Sequence, residues 1–284
     1  MATISDLSRD RPGHPHAPDP IWLRLRKSKA VRALRAPLIT AASLFLFFAT
    51  WELLSYSILN PYLIPPPTQV FATAIPMIKS GEIFRDAGIS LLRIFIGFSL
   101  GTIFAIVVGV IMGRLRWVNE LLDPIIEFLR YLSPTAMIPI AVIWFGIGEQ
   151  SKYFLIFWGT FFFVLINTVA GVIHTPAARQ RAAQCLGANQ LQIFFIVIIP
   201  SAVPYIITGM RVAMASSFMS IIPAEMLAAQ SGLGHLLQVS GMLAQTDRIF
   251  VALATISLLG FASDRLFRYL VHRTLSRYMA LVSE

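Results

Sequence analysis

A small set of charged and polar side chains lies inside otherwise apolar stretches of this sequence. An ionisable group in lipid is costly without a partner, so each is a candidate for binding or transport. We predict that these residues line a polar pathway for a solute. The set is Glu127, Arg130, Ser133, Thr135, Asn167, Ser216, Ser217, Ser220 and Glu225.

These candidates also have structural interpretations. Glu127 and Arg130 are three residues apart on one predicted helix and can neutralise each other. Ser, Thr and Asn side chains are favoured where membrane helices pack closely. Glu225 and Arg211 are too far apart along one helix to pair directly. Each therefore needs a partner on another helix, an interface or a water-filled pathway.

Other chemistry has less support in the sequence. Cys185 is the single cysteine, which excludes an intramolecular disulfide and a cysteine-based metal cluster. We predict no metal site and no bound cofactor. A phosphate-binding G-x-x-x-x-G-K-[ST] sequence is missing, so ATP is expected on another polypeptide. The predicted spans carry no His/Glu, Ser/Lys or paired Asp arrangement, which disfavours an intramembrane enzyme.

The composition places these residues in a membrane. Of the 284 residues, 56% are hydrophobic and 13% are charged, and the mean hydropathy is +0.72. Soluble domains are about 25% charged. Apolar blocks near 20 residues match the length of a helix that crosses the bilayer. The sequence therefore predicts an all-α integral membrane protein.

Six membrane spans are predicted. They are Pro37–Ile58, Leu91–Met112, Leu122–Phe145, Tyr153–Ile173, Val203–Leu227 and Ile249–Leu270. Pro134 and Pro139 are expected to kink or break the third span. Hydropathy alone would also allow a span at Leu191–Met210, but that choice leaves the apolar segment after it outside the membrane.

The basic residues predict the orientation of the spans. With six spans, 16 Lys and Arg residues fall on the cytoplasmic side and 4 on the external side. We therefore expect a basic cytoplasmic tail (1–36), a membrane domain (37–270) and a cytoplasmic C-terminal tail (271–284). The formal charge of +9 is then a topology signal and does not indicate a nucleic-acid partner.

The largest predicted internal loop, residues 176–200, is expected to dock on a cytoplasmic protein. Its sequence predicts two short helices joined at Gly187, since glycine can adopt the left-handed conformation that ends a helix. Pro200 is expected to end the second helix.

The same loop resembles a known signature. Ala182-Ala183, three residues, Gly187, nine residues, Val197, one residue and Ile199-Pro200 is similar to the EAA motif (EAA-x3-G-x9-I-x-L-P) of permease subunits in binding-protein-dependent ABC importers. Arg181 stands where the motif has its first Glu. Further stretches, among them Ser90–Phe98, Pro139–Lys152 and Pro204–Arg211, resemble the nitrate, sulfonate, taurine and bicarbonate branch.

The resemblance implies a fold and a set of partners. The fold would be a type I importer permease in the bacterial inner membrane, with five methionine-permease-like (MetI-like) helices after one N-terminal helix. Two permease subunits, as a homodimer, would pair with two ATPase subunits that hold ATP and Mg. A periplasmic or lipoprotein binding protein would deliver a small anionic or zwitterionic solute. The residues implied to contact the ATPase are Arg179, Arg181, Ala182, Ala183, Leu186, Gly187, Ala188 and Pro200. The alternative is an ion-coupled secondary transporter without an ATPase.

Overall fold

The structure of the protein, a computed structural model, describes residues 29–57, 60 and 62–279. The predicted N-terminal tail lies outside the described residues as far as residue 28, and the C-terminal tail from residue 280. The chain divides into two units, Met1–Leu59 and Asn60–Glu284. The first contains one described helix, α1 (Lys29–Ser57), which begins before the predicted span start at Pro37.

Every described regular element of the second unit is helical. The elements are α2 (Pro67–Lys79), α3 (Glu82–Arg114), α4 (Arg116–Leu129), α5 (Ile138–Phe145), α6 (Glu149–Ile173), α7 (Ala177–Cys185), α8 (Gln190–Ile193), a π-helical turn (Phe194–Ile198), α9 (Ile199–Ala228), α10 (Leu233–Met242) and α11 (Thr246–Met279). Pro67 starts α2 at a position where its missing N–H costs nothing. No break separates α11 from the predicted C-terminal tail at residue 271.

The long helices α3, α6 and α9 form the centre of this unit. Ala105 and Met112 from α3, Val164 and Leu165 from α6, and Ala213 from α9 are buried in one apolar cluster. Polar residues at either end of this cluster are therefore held on a packed scaffold.

Four glycines of α3 lie along its contact with α6. They are Gly97, Gly101, Gly109 and Gly113. A Cβ atom at Gly97 would lie 2.6 Å from the Cβ of Ile156, and one at Gly113 would lie 2.6 Å from the Cβ of Val172. Small residues let membrane helices approach closely, so these positions fix the spacing of α3 and α6.

Residues 190–227 form one continuous helical stretch of 38 residues, and the prediction that Pro200 ends a helix is wrong. Pro200 lies in the first turn of α9, directly after the π-helical turn. Proline offers no N–H to the preceding turn, and the wider i→i+5 spacing of the π-helical turn lets the helix pass it. The predicted start of the fifth span at Val203 is therefore a position inside a helix.

The third predicted span is divided into two helices. α4 ends at Leu129 and α5 begins at Ile138, with turns over residues 130–137. Pro134 lies in this break, as the sequence predicts, and Pro139 lies in the first turn of α5. Neither half has the roughly 20 residues that a membrane-spanning helix needs.

Five described helices are long and apolar enough to cross a membrane. They are Ile39–Ser57, Glu82–Arg114, Glu149–Ile173, Gln190–Leu227 and Thr246–Thr274. They correspond to five of the six predicted spans. The remaining one, the third predicted span, corresponds to the broken α4–α5 segment. The all-helical membrane fold is confirmed.

Candidate functional site

The predicted hairpin forms at α7 and α8. Gly187 has φ +83°, the left-handed conformation that the sequence predicts, and a Cβ there would meet nothing within 4 Å. The Asn189 side chain accepts from the backbone N–H of Gln192, and the Gln192 side chain accepts from the N–H of Asn189, both at 2.8 Å. This capping box starts α8 and fixes the second arm of the turn.

The hairpin has a packed side and an exposed side. Ala183 and Ala188 contact a cluster containing Val172, Ile193 and Ile198. The Arg114 guanidinium at the end of α3 donates to the Gln190 side chain at 2.8 Å. These contacts hold the hairpin against α3, α6 and α9.

The outer edge of the hairpin is open to a partner. Exposed residues there are Arg179, Arg181, Ala182, Leu186 and Gly187. Leu186 is 89% exposed although it is a large apolar side chain. Pro200, in contrast, is half-buried in α9, and thirteen positions of the sequence separate it from Gly187. The roles of these residues in coupling stay predictions.

Four of the predicted pathway residues line one cavity of about 460 Å³. They are Arg130, Ser133, Asn167 and Ser216. The wall also includes Tyr131, Leu132, Pro134, Trp158, Gly159, Phe162, Phe163 and Ile166. The break between α4 and α5, the middle of α6 and one position of α9 therefore enclose a single cleft.

Two other candidates lie beside this cleft without lining it. The Glu127 carboxylate is 3.4 Å from Arg130, so the pairing expected from their spacing forms, between exposed side chains. Thr135 is exposed, and its backbone N–H donates to the Ser133 hydroxyl at 3.3 Å. Their presence in a pathway stays a prediction.

Ser217 and Ser220 lie between α6 and α9. The Ser217 and Thr160 hydroxyls are 2.9 Å apart, and both residues are fully buried. The Ser220 hydroxyl donates to the Ser216 carbonyl oxygen within α9. These contacts fit the helix-packing interpretation that the sequence offers for serines, and the place of Ser217 and Ser220 in a pathway stays a prediction.

Glu225, the remaining candidate, is fully buried in an ion-pair network. Its carboxylate accepts from the Arg93 guanidinium at 2.7 Å, from the Ser90 hydroxyl at 2.9 Å and from the backbone N–H of Gly234 at 2.8 Å. The carboxylate is therefore closed off from solvent, and its predicted place in a pathway would require this network to open.

Arg93 connects Glu225 to a second carboxylate. Its Nε and Nη2 atoms donate to the two Glu149 oxygens at 2.6 and 2.7 Å, and Nη1 also donates to the Ser231 carbonyl at 2.7 Å. Lys152 donates to Glu149 at 2.7 Å. Two cations and two carboxylates therefore join α3, α6, α9 and the turn before α10.

The tight turn before α10 depends on Gly232. Its φ is +112°, and a Cβ would lie 2.5 Å from the Glu225 carboxylate. Its N–H donates to Asp86 of α3 at 3.3 Å. Only glycine allows the turn this close to the carboxylate.

Sequence reasoning missed most of this network. Arg93, Ser90, Glu149 and Lys152 were not among the candidates. A signal was present, because Arg93 borders an apolar block and Glu225 had no partner of opposite charge on its own helix. Because a buried charge requires a partner of opposite charge, these two observations indicate an Arg93–Glu225 ion pair.

Arg211 finds the interhelical partner that the sequence required. Its guanidinium is 3.1 Å from Asp264 of α11, and Asp264 also pairs with Arg268 at 2.7 Å. No group of three His, Cys, Asp or Glu that could hold a metal ion occurs in the part of the chain that the structure describes.

Comparisons with known proteins agree with this architecture. The family described as "Binding-protein-dependent transport system inner membrane component" matches residues 97–276. The permease of a methionine ABC transporter, MetNI, crystallised in inward-facing conformations, shares the fold with a TM-score of 0.53. It is 20% identical and covers 68% of this chain and 97% of its own.

Sequence relatives are more similar. A putative ABC transporter permease of Methanocaldococcus jannaschii is 38% identical over 78% of this chain and 84% of its own length. The taurine transport system permease protein TauC of Escherichia coli is 37% identical over 78% and 83%. The nitrate import permease protein NrtB of Synechocystis is 31% identical over 73% and 78%. By these matches, the chain belongs to the family of inner-membrane permease components of binding-protein-dependent ABC transport systems.

Proposed function

We propose that this chain forms the translocation pathway of an ATP-driven importer for a small anionic or zwitterionic solute. Relatives that carry substrate names are permeases for taurine, aliphatic sulfonates and nitrate. The observation that carries the proposal is the exposed hairpin at Gly187. It gives this family member a rigid surface on which a cytoplasmic ATPase can dock. The single pathway is formed with a second copy of the chain.

The hairpin transmits force because it is fixed on one side and open on the other. Its packed side is joined to α6 and α9 through Val172 and Ile193, while Leu186 is exposed. A displacement of the hairpin by an ATPase therefore moves the helices that also line the cleft. ATP and Mg are bound by the two ATPase subunits, and this chain performs no hydrolysis.

The charges and the elements together support the proposed orientation. The hairpin and both termini face the cytoplasm, where most basic residues fall. The Arg93–Glu225 network lies near the opposite ends of α6 and α9, so it faces the side from which a binding protein delivers solute. The membrane is the bacterial inner membrane.

Reconstitution in liposomes tests the proposal. The chain is purified with the ATPase and the binding protein encoded beside it, and uptake of labelled taurine, ethanesulfonate and nitrate is measured with and without ATP. We expect uptake of at least one of these solutes only when all components and ATP are present. Uptake by the permease alone, driven by an ion gradient, would show a secondary transporter and overturn the proposal.

Two glycine variants test the hairpin specifically. Gly187→Val places a β-branched residue at φ +83°, a conformation that costs it about 1–2 kcal/mol. We expect this variant to insert in the membrane but to lose ATP hydrolysis stimulated by the binding protein. Gly88→Val is the matched control, because a Cβ at Gly88 also meets nothing within 4 Å but the residue lies within α3. Equal transport by both variants would contradict the coupling role.

A further inference from the structure

The residues that line the cleft of about 460 Å³ carry one charge, and the Glu127 carboxylate lies beside the cleft at 3.4 Å from that charge. Of its twelve lining residues, Arg130 is the one cation, and none is an Asp or Glu. A second cavity of about 320 Å³, between α9 and α11, is lined by both Arg211 and Asp264. The first cavity is within the size range of small-molecule sites, and its wall favours a negatively charged occupant.

The cleft exists because a membrane-spanning segment is broken there. Between α4 and α5 the chain turns, and the Leu132 carbonyl accepts from Trp158 Nε1 at 3.0 Å rather than from a helical N–H. Irregular backbone at membrane depth is tolerated where it is buried in protein or lines a water-filled cavity. In secondary transporters, discontinuous helices form the sites for solutes and coupling ions.

The position of the cleft along α6 is central. Trp158, Gly159, Phe162, Phe163, Ile166 and Asn167 line it. These residues lie in the middle of α6 (Glu149–Ile173), and the ten residues from Trp158 to Asn167 cover about 13.5 Å of helix. Along α6, six residues or about 9 Å separate the cleft from Lys152 of the network, and six residues separate it from the end of the helix before the hairpin.

The polar groups of the cleft are available as donors. The Arg130 side chain is 36% exposed, and its hydrogen-bonding contacts within the described part of the chain use Nη2 alone, with Glu127 at 3.4 Å and the Tyr131 hydroxyl at 3.1 Å, while the guanidinium also lies over the Tyr131 ring, 5.0 Å from its centroid. The Ser216 side chain makes no hydrogen bond to any residue that the structure describes, and the Ser133 hydroxyl accepts one without donating. A guanidinium with free N–H groups beside two hydroxyls matches the oxygens of a planar or tetrahedral oxyanion.

We propose that this cleft is an anion-binding station inside the permease, where Arg130 and the hydroxyls of Ser133 and Ser216 bind the nitrate or sulfonate group of the passing solute. The apolar wall formed by Trp158 and Phe162 contacts the remainder of the solute. The transport role of the station depends on the proposed function, whereas its affinity for anions does not.

Fluorescence of Trp158 tests anion binding without transport. The other tryptophans (Trp22, Trp51, Trp117 and Trp144) are replaced by Phe in the full chain, which is placed in lipid nanodiscs. Quenching by iodide, an anion, is compared with quenching by neutral acrylamide. We expect Arg130→Gln to lower the iodide quenching constant about threefold and leave the acrylamide constant unchanged. Arg130→Lys keeps the charge and most of the iodide effect.

Arg116→Gln is the matched control for this experiment. Arg116 begins α4, pairs with Glu120 at 2.8 Å and is 93% exposed, but it does not line the cleft. Its loss is expected to leave iodide quenching unchanged. Equal iodide constants in the parent and Arg130→Gln proteins, or no quenching by either reagent, would overturn the anion station.

Transport by the reconstituted complex then separates the two proposals. If the parent complex imports nitrate or ethanesulfonate, we expect Arg130→Gln to lower kcat/KM about tenfold and Arg130→Lys less than threefold. Import that is equal in the parent and Arg130→Gln complexes overturns the station and leaves the importer intact. Iodide enrichment at Trp158 with no ATP-dependent import by the parent overturns the importer and leaves the station intact.

Discussion

Arg93 and Arg130 both interrupt apolar segments of the chain, yet their surroundings are opposite. The Arg93 side chain is 4% exposed and donates to Glu149, Glu225 and the Ser231 carbonyl at 2.6–2.7 Å. The Arg130 side chain is 36% exposed and has one carboxylate at 3.4 Å. The first guanidinium is saturated by the protein, whereas the second retains donors that face a cavity.

The difference shows how one residue type serves two purposes in a membrane. A buried ion pair contributes little net stability, but removal of one partner leaves an uncompensated charge and is costly. An exposed pair contributes little and costs little to break. Arg93 is therefore expected to matter for folding, and Arg130 for the solute.

The largest effect is expected from Arg93→Met. This change leaves Glu225 fully buried without its cation, and we expect the free energy of unfolding to fall by about 3–5 kcal/mol. The measurement is SDS titration in mixed micelles, followed by circular dichroism. Arg130→Met is the control, with an expected loss of at most about 1 kcal/mol.

A second change identifies the cause of that loss. Glu225→Gln in the Arg93→Met background removes the unpaired buried carboxylate, and we expect it to restore part of the stability. If Arg93→Met and Arg130→Met are equally stable, the contrast between the two arginines is wrong.

Gly232→Ala is expected to have the next largest effect. The added Cβ would lie 2.5 Å from the Glu225 carboxylate, in a backbone conformation with φ +112°, so about 1–3 kcal/mol of stability should be lost. The same titration measures it. Gly88→Ala, in α3 with open space around the Cβ, should be neutral or gain up to about 1 kcal/mol. A stable Gly232→Ala protein would mean that the turn does not hold the carboxylate.

The sequence predicted local features of the chain better than long-range partners. The left-handed Gly187 and the break near Pro134 depend on one or two residues and their neighbours, and both are present. The prediction that Pro200 ends a helix is wrong because the π-helical turn before it lets the helix continue, and a π-helical turn has no simple residue signature. The Arg93–Glu225 pair joins residues 132 positions apart, and only the packing of α3 on α9 brings them together.

The pathway candidates also show that the sequence does not predict long-range contacts, even for two adjacent residues. Ser216 and Ser217 are neighbours in sequence but point about 100° apart around α9. Ser216 therefore faces the cleft, whereas Ser217 contacts Thr160 of α6. Residue type alone treats these serines as equivalent. Their separation requires knowledge of which face of α9 packs on α6.

Lys152→Met should have a smaller effect than Gly232→Ala. Lys152 is one of two cations on Glu149, and the remaining cation, Arg93, still donates to both carboxylate oxygens. Because Glu149 is 47% exposed, solvent also compensates its charge, and we expect a loss of about 1 kcal/mol. The exposed Lys79, replaced by Met, serves as the control. A loss as large as that of Arg93→Met would show that Lys152 is as important to the network as Arg93, which contradicts this ranking.

Glu127→Gln should have the smallest effect on stability and should sharpen the contrast between the arginines. The Glu127 side chain is 62% exposed and its contact with Arg130 is long, so its charge contributes well under about 1 kcal/mol to folding. Its negative charge opposes an anion in the cleft, however. Glu127→Gln should therefore raise iodide quenching of Trp158 in the single-tryptophan protein, whereas Glu120→Gln, which changes the matched pair at the start of α4, should not. If the Glu127→Gln change instead lowers iodide quenching, Glu127 holds Arg130 in its anion-binding position. Only in that case does the loss of a negative charge weaken anion binding.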